Sequence, residues 1–285
     1  MANLEALGSW LQCECPTFWS LLNEKAQRRL PPGIVKYLEE GSAGERETGR
    51  HHLKIAEKLL WHLVNFCSIT VVGDAYRRDL SGVATTNQLA EVLCEIALCV
   101  SLSKLSPALT LRPASGKGTS CDVSFQVAGF PVYGEAKRYE DNWLSGHTPQ
   151  GPISRSIVKA PPDVNPQGSA RPRSMDLYSK LQKVPGQFPD GTLNFLFLFH
   201  PSLAESKSYI QQALFGEGAF FMPQNDLCLS EDGLFATEEW RIVSGCCFSR
   251  IEPEGNLVCP VVWENPRAFV PIPVPVRMAL DRLKP

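Results

Sequence analysis

The chain has 285 residues, of which 44% are hydrophobic and 20% are charged, and its formal net charge is −2. Such a composition is ordinary for a globular protein with one large domain, or with one domain and a smaller attachment. A chain with so little net charge cannot coat nucleic acid by charge alone, so any contact with nucleic acid requires a local basic patch.

The apolar runs of the sequence, such as IALCVSL and LNFLFLF, are too short to cross a bilayer. The N-terminus carries acids and lacks the basic segment of a signal peptide. We therefore expect a cytoplasmic protein without a membrane partner. The ten cysteines follow helix or strand patterns, as at Cys94 and Cys259, which indicates buried reduced thiols rather than disulfides. Their C-x-C and adjacent spacings do not suit a structural zinc site.

The first half of the chain is predicted to be helical. Residues 1–80 show helix-like apolar spacing, interrupted by Pro31-Pro32-Gly33 and by GSAGERETG. Residues 85–105 predict a strong helix with a Thr or Asn cap and one apolar face. Two acids, Glu91 and Glu95, lie one turn apart on another strip of this helix.

Three strands are then predicted: a short one at 109–113, and two at 119–127 and 131–137 in which apolar and polar residues alternate strictly. Residues 138–173 are rich in Pro, Gly and Ser, which predicts a flexible loop. The second half of this loop, 151–173, is basic and suits contact with a phosphate backbone or closure over a substrate. A disordered loop with scattered arginines is the alternative.

The rest of the chain alternates helix and strand. A helix is predicted at 174–188, and a nearly continuous apolar strand at 193–201 is typical of the centre of a sheet. Residues 240–251 and 256–263 predict a hairpin, followed by an extended proline-rich arm. We divide the chain into a helical N-terminal region, a core that contains the flexible loop, and a β-rich C-terminal extension: residues 1–80, 81–215 and 216–285.

The segment CDVSFQVAGFPVYGEAKRY raises the main functional question, because charged residues recur on one face of its predicted hairpin. If Ala128-Gly129 forms a two-residue turn, Asp122 lies opposite Glu135 with their Cβ atoms about 4.5–5.5 Å apart, and Lys137 follows on the same face. Paired carboxylates repel each other, and Mg²⁺ relieves this repulsion. A bound ion could activate a water, which the lysine could orient or deprotonate, for phosphodiester hydrolysis. The solvated face of an ordinary hairpin is the alternative.

Asp122 and the run Glu135-Ala136-Lys137, preceded by a helix that carries glutamates, resemble the PD-(D/E)XK nuclease superfamily. The resemblance covers residues 85–200 and implies a restriction-endonuclease-like α/β core of a helix, a three-strand meander, a second helix and a further strand. It implies that Asp122, Glu135 and the Ala136 carbonyl ligate Mg²⁺ or Mn²⁺. Lys137 would act on the nucleophilic water.

The resemblance also implies that a glutamate of the first helix, Glu95 or Glu91, orients the site or helps to hold the metal, and we favour Glu95. The second helix of the superfamily often carries a lysine or glutamine near the site, and the candidates in this chain are Lys180, Lys183 and Gln187. The proline that names the motif is replaced by Cys121. The expected function is a nuclease that acts on DNA, with a homodimer or a protein partner in keeping with the superfamily.

Two other classes of function stay open. The chain could be a catalytically inactive, nuclease-like scaffold or nucleic-acid-binding protein that uses its helical N-terminus as a docking surface. It could also be a cysteine-dependent hydrolase, although no local nucleophile signature is present.

Overall fold

The computed structural model describes residues 4–106, 108–115, 118–138, 173–199, 203–219, 227–251 and 257–282. Within them the helices are α1 Leu4–Glu14, α2 Pro16–Leu21, α3 Glu24–Arg28, α4 Pro32–Glu39, α5 Ala43–Cys67, α6 Ile69–Gly82, α7 Thr86–Ser103, α8 Arg173–Leu181, α9 Leu203–Phe215 and α10 Val274–Asp281. The strands are β1 Leu109–Leu111, β2 Val123–Val127, β3 Phe130–Arg138, β4 Leu193–Phe199, β5 Gly245–Ile251 and β6 Leu257–Glu264.

The six strands form one mixed sheet in the order β1-β2-β3-β4-β5-β6. The pairs β1–β2, β2–β3 and β5–β6 are antiparallel, whereas β3–β4 and β4–β5 are parallel. Parallel neighbours need crossover connections, and α8 and α9 lie on these two connections. The protein is therefore an α/β protein with an open sheet.

The central strand β4 explains how the layers form. All seven of its residues are buried, and side chains alternate between the two faces of a strand. Phe195 and Phe197 pack into the core shared with the N-terminal helices. Leu196 and Leu198 pack on the opposite face, in a second core that includes residues of α8 and α9. The prediction of a central strand buried on both faces is confirmed.

Helix α7 lies in the first of these cores and carries the acids of interest. Its N-cap is Thr85, whose hydroxyl accepts a hydrogen bond from the Gln88 amide at 3.2 Å. The helix buries Leu89, Leu93 and Ile96, among other residues, between the N-terminal helices and the sheet. The predicted helix and its cap are thus confirmed, and the helical N-terminal region shares one continuous core with the sheet.

The β2–β3 hairpin has the two-residue turn expected from the sequence. Ala128 and Gly129 both have positive φ, at 51° and 85°, and Val127 pairs with Phe130 across the turn. Two positive φ values match the right-handed twist of a hairpin. Further along β3, a Cβ on Gly134 would lie 3.0 Å from side-chain atoms of Phe197 and Val123, so this position favours glycine.

Three predicted boundaries were wrong by four residues or more. Strand β2 begins at 123 rather than 119, because Ser120 forms only an isolated bridge with Ala114. Helix α8 ends at Leu181, and the following Pro185 lies in a 3-10 turn, since proline cannot continue the hydrogen-bonding of a helix.

Strand β5 likewise starts at Gly245 rather than at 240, because residues 239–242 form a 3-10 turn. The Asn265 amide stabilises this turn by donating to the carbonyls of Trp240 and Val243 at 2.8 and 2.9 Å. The predicted hairpin pairing of β5 with β6 is confirmed, while the connecting EPEG segment and nearly all of the predicted loop 138–173 lie outside the described residues.

In the described part of the chain no helix is long and apolar enough to cross a membrane. All ten cysteines lie within the described residues, and each is a free thiol. Burial raises the pKa of the Cys15, Cys121 and Cys259 thiols to about 12. A nucleophilic cysteine requires the opposite shift, so these buried thiols are poor candidates for a hydrolase.

Candidate active site

The hairpin brings Asp122 and Glu135 together in the register that the sequence predicts. Val123 pairs with Gly134, so the residue before β2 falls beside Glu135. The Asp122 amide donates to the Gly134 carbonyl at 3.1 Å. Oδ2 of Asp122 accepts a hydrogen bond from the Ala136 amide at 2.7 Å. The backbone of β3 therefore holds this carboxylate in a fixed position.

Both carboxylates are buried, with exposed fractions of 9% for Asp122 and 1% for Glu135. Lys137 Nζ forms a short ion pair with Oε1 of Glu135. Oε2 of Glu135 is buried and has no hydrogen-bond partner among the described residues. A buried oxygen without a partner is costly unless another group, such as a cation, satisfies it.

The electrostatics follow from this burial. Burial, followed by the charge of Glu135 and opposed by that of Lys137, raises the pKa of Asp122 to about 7. Burial also raises the pKa of Glu135, although its ion pair with Lys137 opposes the rise. The charged forms of both carboxyl groups are thus disfavoured, and a proton or a cation stabilises the pair.

Burial alone would lower the pKa of Lys137, but the carboxylates of Glu135 and Asp122 raise it above its usual range. The side chain is therefore an ammonium at neutral pH. An ammonium donates hydrogen bonds and cannot accept a proton. In the metal-free protein, Lys137 therefore suits the orientation of a water better than its deprotonation.

Helix α7 contributes Glu95, whose side chain is 17% exposed. Burial, followed by the charge of Asp122, raises its pKa to about 8, so Glu95 is electrostatically coupled to the hairpin. Glu91, one turn earlier, is exposed. Of the two glutamates, Glu95 is the partly buried one on which the charge of Asp122 acts, and its catalytic role stays a prediction.

Arg112, which the sequence did not single out, is the partner of Glu95. Its Nη2 lies 2.7 Å from Glu95 Oε2, while Nη1 forms a short ion pair with Asp79 of α6. The guanidinium lies over the Tyr76 ring, 4.9 Å from its centroid. The backbone amide of Arg112 also donates to the Asp122 carbonyl at 2.9 Å. One arginine thus connects both elements of the site with the N-terminal helices.

The sequence contains one signal that could have identified Arg112. It directly follows β1, and the antiparallel register of β1 with β2 pairs Leu111 with Val123. Extending that register by one residue places Arg112 beside Asp122. Its partner Asp79 lies 33 residues earlier in the chain, and no local pattern connects the two.

A cleft of about 420 Å³ lies against this cluster and is lined by both acidic and basic side chains. Glu91 and Glu95 come from α7, Lys137 and Arg138 from β3, and Lys180 from α8. Asp122 and Glu135 do not line the cleft, but their contacts Ala136 and Lys137 do. Of the candidates on the second helix, Lys180 faces the cleft, whereas Lys183 and Gln187 follow the end of α8 and do not line it.

The donor set suits a hard cation. Asp122 and Glu135 offer carboxylate oxygens, the preferred ligands of Mg²⁺. Among the described residues no group of three or more His, Cys, Asp or Glu side chains is arranged to hold a metal ion. Any cation at this position would therefore complete its coordination with backbone carbonyls, water or substrate oxygens. Comparison of the chain with protein-family models, with curated proteins and with solved structures finds no match.

Proposed function

We propose that the protein is a metal-dependent nuclease that hydrolyses phosphodiester bonds, with a restriction-endonuclease-like core and DNA as the expected substrate. The observation that carries the proposal is the convergence of a buried carboxylate pair, Asp122 and Glu135, with Lys137 and Glu95 beside an open cleft. A purely solvated hairpin face does not account for this, because carboxylates are rarely buried unless they are paired or bind a metal.

The order of elements supports the core. Helix α7 is followed by the β1–β2–β3 meander, then by α8, and then by β4 parallel to β3. This is the order of helix, meander, helix and strand that the resemblance implies. The motif residues lie at the end of β3 that adjoins α7, where a helix glutamate can reach them.

The residues present fit a divalent cation. Oε2 of Glu135 is a buried oxygen without a hydrogen-bond partner among the described residues, and burial raises the pKa of both carboxyl groups, so a bound cation would stabilise their charged forms. Asp122, Glu135 and the Ala136 carbonyl would hold the ion. When bound, a divalent cation lowers the pKa of a water and neutralises charge on a phosphodiester.

The other functions of the site fall to side chains of the protein. Lys137, an ammonium that is 35% exposed at its side chain, donates to a phosphate oxygen or to the attacking water once it leaves Glu135. Glu95 orients that water from α7, and Arg112 fixes the position of Glu95. Arg138 and Lys180 at the cleft add positive charge for the phosphate backbone.

A second candidate, the inactive nuclease-like scaffold, is favoured by one observation. Lys137 already pairs with Glu135 and Arg112 already pairs with Glu95, so the cluster is largely neutralised without a metal. In a scaffold these ion pairs would be structural and permanent. In a nuclease the cation would take the unpartnered Oε2 of Glu135, and the pair between Lys137 and Oε1 of Glu135 would open when Lys137 turns to the substrate.

Cleavage assays separate the two. Single- and double-stranded DNA and RNA are incubated with Mg²⁺, Mn²⁺ or EDTA, and wild type is compared with Lys137→Ala, Asp122→Asn and the exposed-lysine control Lys58→Ala. The nuclease requires metal-dependent cleavage that both site variants lose and the control keeps. Cleavage that survives in the site variants refutes this site. If nothing is cleaved, Mn²⁺ titration by calorimetry decides, because a scaffold has no ion affinity that depends on Asp122.

A further inference from the structure

A basic groove lies in the N-terminal helical region, and we define it by Lys25, Arg29 and Arg78. It runs between α3 and the end of α6 and encloses about 440 Å³. All three cations are exposed. Lys25 lies in α3, Arg29 directly follows α3, and Arg78 lies in α6, 49 residues after Arg29. Only the fold brings the three cations together.

The acids next to the cations of the basic groove are themselves held in ion pairs. Glu24, the neighbour of Lys25, pairs with Arg28 at 3.1 Å. Asp79 is shared between Arg112, with which it forms its short ion pair, and Arg78, whose Nε lies 3.5 Å from Oδ1 of Asp79. No acidic side chain lines the groove itself among the described residues. The basic groove therefore keeps a positive charge although the whole chain has a net charge of −2.

The walls of the basic groove are fixed and partly apolar. Leu30, Pro31 and Val83 line it together with the cations. The Asn23 amide donates to the Ser81 hydroxyl at 2.9 Å and ties α3 to α6 across the groove. Low-dielectric walls strengthen the field of nearby charges, so a phosphate in this groove interacts more strongly than on an open surface.

The basic groove is linked to the cleft of the candidate active site by a series of shared lining residues. A middle groove of about 390 Å³ shares Arg78 and Val83 with the basic groove, and it shares Glu91 and Glu95 with the cleft. It follows α7 from Gln88 to Glu95, a rise of about 10 Å, or about three nucleotides along one strand. The three depressions thus form one track across the molecule.

We propose that the basic groove binds the phosphate backbone of a nucleic acid whose neighbouring segment occupies the cleft. This inference rests on the proposed nuclease function for the cleft and names a second contact region for the same substrate. It assigns nucleic-acid binding to the helical N-terminal region, several nucleotides from the scissile bond. The basic loop at 151–173 is not needed for this contact.

One residue on the track opposes the binding of a phosphate backbone. Asp79 and Glu95 share Arg112, which leaves the exposed Glu91 as the acid in the middle groove that faces an incoming phosphate. Removal of the Glu91 charge should therefore change the affinity in the opposite direction to removal of the cations. In EDTA, Glu91→Gln should tighten binding because it removes a repulsive charge.

The test is the affinity for a labelled DNA duplex and its single strand, measured by fluorescence anisotropy in EDTA so that cleavage does not interfere. The variant is the triple Lys25→Ala, Arg29→Ala and Arg78→Ala. Its matched control removes three exposed cations of α4 and α5, outside the basic groove: Lys36→Ala, Lys54→Ala and Lys58→Ala. The groove variant should raise Kd on the order of tenfold or more and lower the salt slope by about one for each lost phosphate contact, whereas the control should change little.

The outcomes for the groove and for the nuclease are distinct. Loss of binding in the groove variant, with tighter binding in Glu91→Gln, supports the proposal even if wild type cleaves nothing, and only the nuclease then fails. Equal Kd values for the groove variant and its control overturn the proposal even if wild type cleaves DNA. Wild type that binds neither probe overturns it as well, and an acidic protein segment then becomes the better occupant of the basic groove.

Discussion

The buried carboxylate of Asp122 should make the metal-free protein less stable at neutral pH than a variant without the charge. The substitution Asp122→Asn removes the charge and keeps an oxygen that can accept the hydrogen bond from the Ala136 amide. We expect Asp122→Asn to be more stable than wild type at pH 8 in EDTA. The same substitution should abolish cation binding.

The magnitude follows from the pKa, which rises from 3.8 to about 7. Below pH 3.8 the group is protonated in both the folded and the unfolded state, and no stability is lost. As the pH rises toward 7, the unfolded chain releases the proton more readily, so the free energy of unfolding falls. A shift of about three pKa units corresponds to about 4 kcal/mol, of which about 3 kcal/mol develops between pH 5 and pH 8.

The assay is urea unfolding of wild type and Asp122→Asn between pH 5 and pH 8, with and without Mg²⁺. The advantage of the variant should grow with pH, and Mg²⁺ should stabilise wild type alone. Asp74→Asn, which alters an exposed acid of α6, serves as the control and should leave the midpoint unchanged. An advantage that does not vary with pH, or a variant less stable than wild type at pH 8, refutes the reasoning.

Three further predictions concern the surrounding structure. Arg112→Ala leaves Glu95 and Asp79 without their shared cation and should lower the free energy of unfolding by about 2–4 kcal/mol in urea titrations. Arg112→Lys should recover only part of this free energy, because one ammonium cannot hold both acids. Ala128→Asn should raise the free energy of unfolding by about 0.5–1 kcal/mol, because asparagine tolerates positive φ better than alanine, and Ala128→Val should lower it. Gly134→Ala should cost about 1–3 kcal/mol in the same assay, since its new methyl group meets an aromatic ring of the next strand, and an unchanged midpoint would contradict that contact.

Local patterns were sufficient to predict the hairpin and the central strand. Alternation with a period of two, together with a two-residue turn, fixes the register that places Asp122 beside Glu135. Seven consecutive apolar or small polar residues at 193–199 likewise indicate burial on both faces. In both cases the signal lies within a few residues of the structure that it specifies.

The features of the site that the sequence did not predict depend on contacts between distant segments of the chain. The ion pairs of Arg112 require α6 and α7 to pack beside β1, and the sequence does not specify how those helices dock. The pairing of Lys137 with Glu135 follows from their shared strand face, but its strength follows from burial beneath the neighbouring layers. The basic groove exists only because α3 and α6 meet in the fold. The charge pattern along the sequence instead indicated the loop at 151–173 as the region that contacts phosphates.

The shared core of the N-terminal helices and the sheet has a consequence for how the protein can be divided. Removing residues 1–80 would expose the apolar face of α7 and take away Tyr76 and Asp79, which hold Arg112 in place. The N-terminal region is therefore no detachable module, and a truncated core is expected to aggregate rather than act alone. Arg78 and Asp79 are adjacent on α6, one in the basic groove and one in the ion-pair network of the site. A shift of α6 on binding at the basic groove would therefore move Asp79 as well, and through Arg112 it would reach Glu95 of the candidate active site.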